Sequence, residues 1–200
     1  MSKTRAQSMR RESLSDRLHP VALTSTIYNF DISLADVDRG VYETLAVRAA
    51  LHPSESLEYL ATRVLAYCLE YEEGITFSKG GISDGDQPPL WVPSPDGGIK
   101  TWIEVGFPDP DRLHKASKSA ARVVVYTHRD PAQILRQASG QRIHRAKEIE
   151  IHAFDRGFIA DLAPRLERRT RCDLSVTGRH LYLTLGAKAL NGAVTEHRLE

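Results

Sequence analysis

The stretch TWIEVGFPDPDRLHKASKSAARVVVYTH, residues 101–128, decides the fold. Its beginning predicts a strand, Asp109–Pro110 is typical of a helix start, and residues 121–128 read as a nearly continuous apolar strand. A strand, a helix and a strand of these lengths predict parallel neighbours joined by a crossover helix. Glu104 lies in the first strand, where burial of an unpaired carboxylate is costly, so it marks a candidate site.

The residues before this unit predict a hairpin and a long helix. Residues 23–34 alternate apolar and polar side chains, and residues 41–51 predict a second strand paired with the first, although their alanines leave a helix open. Residues 52–71 carry an apolar helical face, with Pro53 and Ser54 as start signals. Three further strands separated by loops are predicted: 75–80, 90–93 and 99–107.

The residues after this unit predict a second helix, a strand and a hairpin. Asp130–Pro131 predicts a helix that continues to Gly140, and residues 148–154 predict a strand. A short helix broken at Pro164 and a β-hairpin over 171–186 follow. The expected fold class is α/β (α+β): a mixed sheet flanked by helices, with an N-terminal and a C-terminal β-hairpin.

The domain organisation expected is one domain over residues 21–190. Residues 191–200 look loose, and residues 1–20 predict a flexible basic tail, with a nucleic-acid-binding arm as the alternative.

Composition narrows the class of protein. The 27 basic and 26 acidic side chains leave a net charge of +1, so no global basic field indicates a polyanionic partner. Cys68 and Cys172, the two cysteines, make neither a disulfide framework nor a zinc site and fit a reducing, cytoplasmic setting. No apolar run reaches 18 residues, so no membrane partner is expected. The sequence contains no phosphate-binding loop, dinucleotide fingerprint, nucleophile elbow or HExxH motif.

Two acidic positions converge in the predicted hairpin. Asp84 and Asp86 precede the strand 90–93, which would fold back on the strand carrying Glu104. A pair of carboxylates with open coordination positions suits Mg²⁺ or Mn²⁺, and such an ion can activate water for phosphodiester hydrolysis. The sequence therefore predicts a metal site formed by Glu104 and one of the two loop aspartates, Asp84 or Asp86.

Several motifs together resemble the YaeQ family of bacterial proteins. The resemblance runs from Leu23 to Leu185 and rests on HPSE at 52–55, DQP at 86–88 and WIEVGFPD at 102–109, followed by HKA at 114–116. It implies a PD-(D/E)XK, restriction-endonuclease-like core whose nuclease relatives use an aspartate, an acidic residue and a lysine two positions later. Asp86 and Glu104 match the first two, but Gly106 occupies the lysine position.

The displaced lysine has several candidates. In some nucleases of this fold the lysine stands on the following helix, which here offers Lys115 and Lys118. Lys115 is preferred because it lies nearer the predicted core-facing flank, whereas Lys100 shares the face of Glu104 four residues upstream. Glu58 in the first long helix matches the glutamate that sometimes assists.

Each candidate also has a structural interpretation. Glu104 would then form an ion pair with Arg112 or Lys115, and the basic residues between Arg129 and Lys147 would be a solvated face. The sequence thus supports two hypotheses. One is a Mg²⁺- or Mn²⁺-dependent nuclease acting on nucleic acid, and the other is a non-catalytic relative that binds nucleic acid or protein.

Overall fold

The computed structural model describes residues 25–78 and 87–199 of the 200-residue chain. The predicted tail over residues 1–20, Asp84 and Asp86 lie outside the described residues. The described part forms a sheet-dominated α+β fold with flanking helices, and its mixed sheet is a nearly closed barrel.

Ten strands from the described part of the chain form the sheet, in the order β2-β1-β8-β9-β10-β7-β6-β5-β4-β3. Their bounds are β1 Thr26–Asp36, β2 Val41–Leu51, β3 Thr76–Phe77, β4 Leu90–Pro93, β5 Ile99–Val105, β6 Ala120–Thr127, β7 Glu150–Phe154, β8 Arg169–Thr177, β9 His180–Leu185 and β10 Lys188–Arg198. Strands β5, β6 and β7 run parallel to one another, and β1 runs parallel to β8. The other neighbouring strands are antiparallel.

In the described ranges, four α-helices flank the sheet: α1 Leu57–Leu69, α2 Pro110–Ser119, α3 Pro131–Ala138 and α4 Arg156–Leu162. Short 3₁₀ turns occupy Ala146–Glu148 and Ala163–Arg165. One apolar core packs α1 and α4 against the barrel, and a second lies between α2, α3 and the opposite face of β5, β6 and β7. No helix among the described residues is long and apolar enough to cross a membrane.

The unit that begins at residue 101 has the predicted strand-helix-strand arrangement. The Asp109 side chain caps α2 by accepting from the Arg112 backbone N–H at 2.8 Å, with Pro110 at the first helical position. β5 and β6 pair in parallel, with Glu104 opposite Val125. β4 folds back antiparallel on β5, so the predicted hairpin is confirmed.

The first hairpin and the C-terminal hairpin are also confirmed, but the start of α1 and the end of β5 differ from the predictions. α1 begins at Leu57 with Ser56 as its N-cap, rather than at Pro53 or Ser54. β5 ends at Val105, two residues earlier than predicted.

Residues predicted to be loose form most of β10. This strand runs over Lys188–Arg198 and pairs with β9 and β7 on its two sides. The correction has a physical reason, because without β10 the facing edges of β9 and β7 would leave their backbone hydrogen-bonding groups without partners.

Candidate functional site

An open cleft lies where β5 and β6 reach their carboxyl ends. It has a volume of about 500 Å³ and is lined by the residues around the start of α1, by residues 104–109, and by Arg112, His128 and Arg129. The carboxyl ends of parallel strands are frequent ligand-binding positions, because several strands deliver side chains to one edge. We call it the Glu104 cleft.

Glu104 contributes a buried carboxylate to this cleft. The residue is 2% exposed. Its Oε1 accepts from the Trp102 indole N–H at 2.6 Å and from Arg112 Nε at 2.7 Å. Burial raises the pKa of the Glu104 carboxyl, and Arg112 opposes that rise. Neither bond uses Oε2.

Arg112 also joins the cleft to the loop before β4. Its Nη2 donates to the Gln87 carbonyl at 2.8 Å while its Nε holds Glu104. Gln87 directly follows Asp86 in the sequence. The same guanidinium therefore binds the carboxylate and the backbone of the segment that carries the predicted metal ligand.

Gly106 occupies the lysine position for a backbone reason. It has φ +89°, a region that favours glycine, and its N–H donates to the Tyr126 carbonyl at 2.8 Å as the chain leaves β5. A Cβ at this position would lie 3.4 Å from the Tyr59 ring. Any side chain would be strained here, lysine included.

The candidate lysines have different surroundings. Lys115 is half-buried on α2, three residues after Arg112 and therefore on a neighbouring part of the helix surface. Lys118 is exposed in the last turn of the same helix. Lys100 lies at the other end of β5 and forms an ion pair with Glu72.

His128 is a cleft residue that the sequence reasoning missed. Thr62 Oγ1 donates to the Glu58 carbonyl at 2.7 Å and lies 2.9 Å from His128 Nδ1. Because the hydroxyl proton is committed to the carbonyl, Thr62 accepts from Nδ1–H, which leaves Nε2 as the acceptor nitrogen. A histidine directly after a buried parallel strand was the available signal.

The electrostatic surroundings keep His128 neutral. Burial lowers its pKa, and the positive charges of Arg129 and Arg156 lower it further, against an opposing effect of Glu58. Glu58 itself is half-buried in the first turn of α1, and hydrogen bonds from its own backbone N–H and from Ser56 lower its pKa. The predicted assisting glutamate therefore interacts electrostatically with His128, but it is not among the residues that line the Glu104 cleft.

The family model described as YaeQ protein matches residues 21–194. The chain belongs to the YaeQ family. The YaeQ protein of Salmonella typhi is 30% identical over 165 residues, which cover 82% of this chain and 91% of that protein. The YaeQ protein of Escherichia coli K12 is 37% identical over 112 residues, covering 56% of this chain and 61% of the relative.

Two solved structures of YaeQ proteins share the fold. The crystal structure from Pseudomonas syringae has a TM-score of 0.77 and 30% identity, covering 88% of this chain and 97% of that chain. The structure from Xanthomonas axonopodis pv. citri has a TM-score of 0.78 and 25% identity, covering 88% of this chain and all of that chain, 100%.

The described residues of this YaeQ-family chain supply only part of a metal site. Glu104 offers the hard carboxylate oxygen that Mg²⁺ prefers. Among residues 25–78 and 87–199, no group of three or more histidine, cysteine, aspartate or glutamate side chains could hold a metal. The predicted ligand Asp86 lies outside these ranges.

A second cleft opens at the other end of α1, with a volume of about 580 Å³. At its centre Arg122 bonds Glu70 at 2.5 Å and Glu150 at 2.7 Å. Tyr126 donates to Glu70 at 2.8 Å, and His152 lies 3.3 Å from Glu150. Because Arg122 binds both carboxylates and Tyr126 donates to one of them, we attribute a structural role to this cluster.

Proposed function

We propose that this YaeQ-family protein is a metal-dependent nuclease whose centre lies in the Glu104 cleft. One observation carries the proposal: Arg112 binds both the Glu104 carboxylate and the Gln87 carbonyl, which brings the segment next to Asp86 into the cleft. The arrangement supports the convergence of Asp86 and Glu104 that the restriction-endonuclease-like core of the family resemblance implies.

Asp86 and Glu104 would hold Mg²⁺ or Mn²⁺. When bound, such an ion lowers the pKa of a coordinated water and stabilises negative charge on a phosphate. Trp102 and Arg112 orient the Glu104 carboxylate through Oε1, leaving Oε2 outside those two bonds. These two bonds therefore orient one of the two carboxylates that the proposed centre needs.

Three further side chains supply the remaining roles. His128 Nε2, kept as an acceptor by Thr62, takes a proton from the attacking water. Lys115 stabilises charge on the phosphate oxygens from α2. Glu58, in the first turn of α1, is the candidate for orienting the lysine or the metal-bound water.

Cleavage of a panel of single- and double-stranded DNA and RNA, with Mg²⁺, Mn²⁺ or EDTA, tests the proposal. We expect metal-dependent cleavage by the wild type and its loss in Glu104→Ala and Glu104→Gln. Glu148→Gln removes a 66% exposed carboxylate remote from the cleft and serves as the purification-matched control. Cleavage that survives both Glu104 variants would assign the activity to another site or to a contaminant.

The same cleft also favours a second function, a non-catalytic module that binds nucleic acid or protein. The Glu104–Arg112 ion pair with the Trp102 hydrogen bond supports it, because protein groups alone satisfy Oε1. Absence of cleavage across the panel, with binding retained and unchanged in Glu104→Gln, would favour this module over the nuclease.

A further inference from the structure

A basic groove lies outside the Glu104 cleft. It is lined by Arg165, Arg169, Arg171 and Lys188 against a single carboxylate, Glu167, and has a volume of about 380 Å³. The whole chain carries a net charge of only +1. Three of the four cations come from residues 165–171, and the fold adds Lys188 from β10, so the positive charge is local and not a consequence of the net charge.

Strand register places this groove at the cleft end of the barrel. Thr26 of β1 pairs with Leu51 of β2, and Ser54, just beyond, lines the Glu104 cleft. β8 runs parallel to β1, with Arg169 opposite Asn29. The start of β8, which carries the groove, therefore lies at the end where β2 leads into the cleft.

The register also extends the positive charge across neighbouring strands. Arg48 and Arg169 are paired with Asn29 from its two sides, and all three are exposed. Residues paired in this way point to the same face of a sheet. The neighbouring Arg168 adds one more cation. Its guanidinium lies over the Tyr28 ring, 5.7 Å from the ring centroid, and this contact restricts its position.

These cations are not neutralised by the described part of the protein. Neither Arg169 nor Lys188 forms an ion pair with any residue in 25–78 or 87–199. Arg171 is 87% exposed and only reaches 4.0 Å from Asp31. This contrasts with the second cleft, where each arginine faces a carboxylate.

We propose that the basic groove binds the phosphate backbone of the nucleic-acid strand that enters the Glu104 cleft. The identity of the polyanion as nucleic acid rests on the proposed function. Guanidinium groups that are exposed, unneutralised and repeated along one edge suit successive phosphates, which contribute affinity without reading sequence. Arg129 at the cleft continues the positive charge towards Glu104.

Fluorescence anisotropy with labelled 30-mers of single-stranded DNA, single-stranded RNA and duplex DNA, in EDTA, tests the groove without cleavage. The test variant is Arg169→Gln/Arg171→Gln/Lys188→Gln. The control is Arg136→Gln/Arg142→Gln/Lys147→Gln, which removes three exposed cations that line neither the basic groove nor the Glu104 cleft. We expect the test variant to bind at least about tenfold more weakly at low salt, and the control to match wild type.

The salt dependence gives a second readout. Loss of three phosphate contacts lowers the slope of log affinity against log salt by about 2 for a single strand. Equal losses in both triple variants, or absence of nucleic-acid binding by the wild type, would overturn the proposal. Binding to vesicles of anionic phospholipid but not to the 30-mers would also overturn it and identify a lipid surface.

Failure of this proposal can be separated from failure of the proposed function. A groove variant that loses cleavage of 30-mers but still hydrolyses a dinucleotide supports both. A wild type that binds 30-mers through the groove but cleaves nothing supports the groove alone. If the groove variant cleaves 30-mers as well as wild type does, the proposed nuclease function stands and the proposed role of the groove is wrong.

Discussion

Arg112 Nε donates to Glu104 Oε1 at 2.7 Å, and Glu104 lies in β5 while Arg112 lies in the first turn of α2. The pair therefore ties the helix to the carboxyl end of the strand. A charge that is 2% exposed is tolerated here because a guanidinium and an indole N–H both bind it. The ion pair therefore stabilises the packing of α2 on β5, and it also holds the Glu104 carboxylate at the cleft.

Replacement of Arg112 by methionine is the direct test of that pair. We expect Arg112→Met to lower the free energy of unfolding by roughly 2–3 kcal/mol, somewhat less than for a fully buried pair because Arg112 is 20% exposed. Glu104→Gln keeps an acceptor for Trp102 and Arg112 and should stay within about 1 kcal/mol of wild type. Urea denaturation of both variants and of the double variant gives the coupling energy; a value near zero would contradict the assigned pairing.

The stability of these variants should also depend on pH. Burial raises the pKa of Glu104 above its ordinary value of 4.5, so the folded carboxyl holds its proton more tightly than the unfolded one. Its contribution to stability is present below about pH 4.5 and is lost as pH rises through the folded pKa. Arg112→Met should raise the pKa of Glu104 further, so the free energy of unfolding of this variant should fall further below that of wild type between pH 4 and 8. Glu104→Gln should abolish this pH dependence.

Gly106 allows a test of the displaced lysine. At φ +89° a side chain costs about 1–2 kcal/mol, so Gly106→Ala and Gly106→Lys should both destabilise the fold by that amount. Gly106→Lys should not increase cleavage, even though it restores the sequence pattern of the nuclease relatives. Gly40→Ala, also at positive φ but with open space around its Cβ, is the control for backbone strain alone. A Gly106→Lys variant that cleaves faster than wild type and is as stable would show that the lysine position is functional.

Much of the fold could be predicted from local signals. Asp109–Pro110 and Asp130–Pro131 both mark helix starts, and both aspartates cap their helices. The continuous apolar character of β6 predicted its burial, because helices cover both faces of that part of the sheet.

The failures have long-range causes. α1 begins later than predicted because Glu55 lies buried before the helix, where its carboxylate accepts from the His52 N–H at 3.0 Å and pairs with Arg63. β10 has few large apolar residues, and Gly192 is needed because a Cβ there would lie 2.5 Å from Phe158. Neither contact can be read from a local window of sequence.

The candidate site was predictable in part. The strand-helix-strand pattern placed Glu104 in a buried strand, and Arg112 was one of its two predicted partners. The Thr62–His128 hydrogen bond joins residues 66 positions apart. His128 was therefore missed, because its role depends on a contact between α1 and the end of β6 rather than on a motif.

The second cleft should determine the acid stability of the protein. Hydrogen bonds from Arg122 lower the pKa of Glu150 to about 2, from an ordinary value of 4.5. A depressed folded pKa adds stability that is present above about pH 4.5 and is lost as pH falls towards 2. Glu150→Gln should remove up to roughly 2 kcal/mol at pH 7, a value discounted for screening because Arg122 is 37% exposed. Denaturant titrations between pH 2 and 7 check this; identical pH slopes in variant and wild type would contradict it.

His128 should give the cleavage reaction its pH profile. His128 can accept a proton only when it is neutral, that is, at a pH above its pKa. Burial and the positive charges of Arg129 and Arg156 hold this pKa below 6.5, although Glu58 opposes them. We therefore expect kcat to rise as the pH passes through the pKa of His128 and then to level off. His128→Gln should lower kcat about 100-fold and remove the inflection.

Thr62 positions His128 and supplies the matched pair of variants. Thr62→Ser keeps the hydroxyl that fixes the tautomer and should retain the profile, whereas Thr62→Val should lower kcat and shift the inflection. Equal profiles for serine and valine would exclude the positioning role.

Lys115 and Lys118 provide a matched test of the lysine on α2. Both stand on the same helix, but Lys115 is half-buried on the side of Arg112, whereas Lys118 is exposed in the last turn. If Lys115 stabilises charge on the phosphate, Lys115→Gln should reduce kcat roughly 100- to 1000-fold with little change in strand binding measured in EDTA. Lys115→Arg should recover part of the loss because it keeps the charge, and Lys118→Gln should stay within about twofold of wild type. Equal losses of kcat in Lys115→Gln and Lys118→Gln would contradict a specific contact from Lys115. They would indicate that the positive charge of α2 as a whole attracts the substrate, because such an attraction would not distinguish a half-buried lysine from an exposed one.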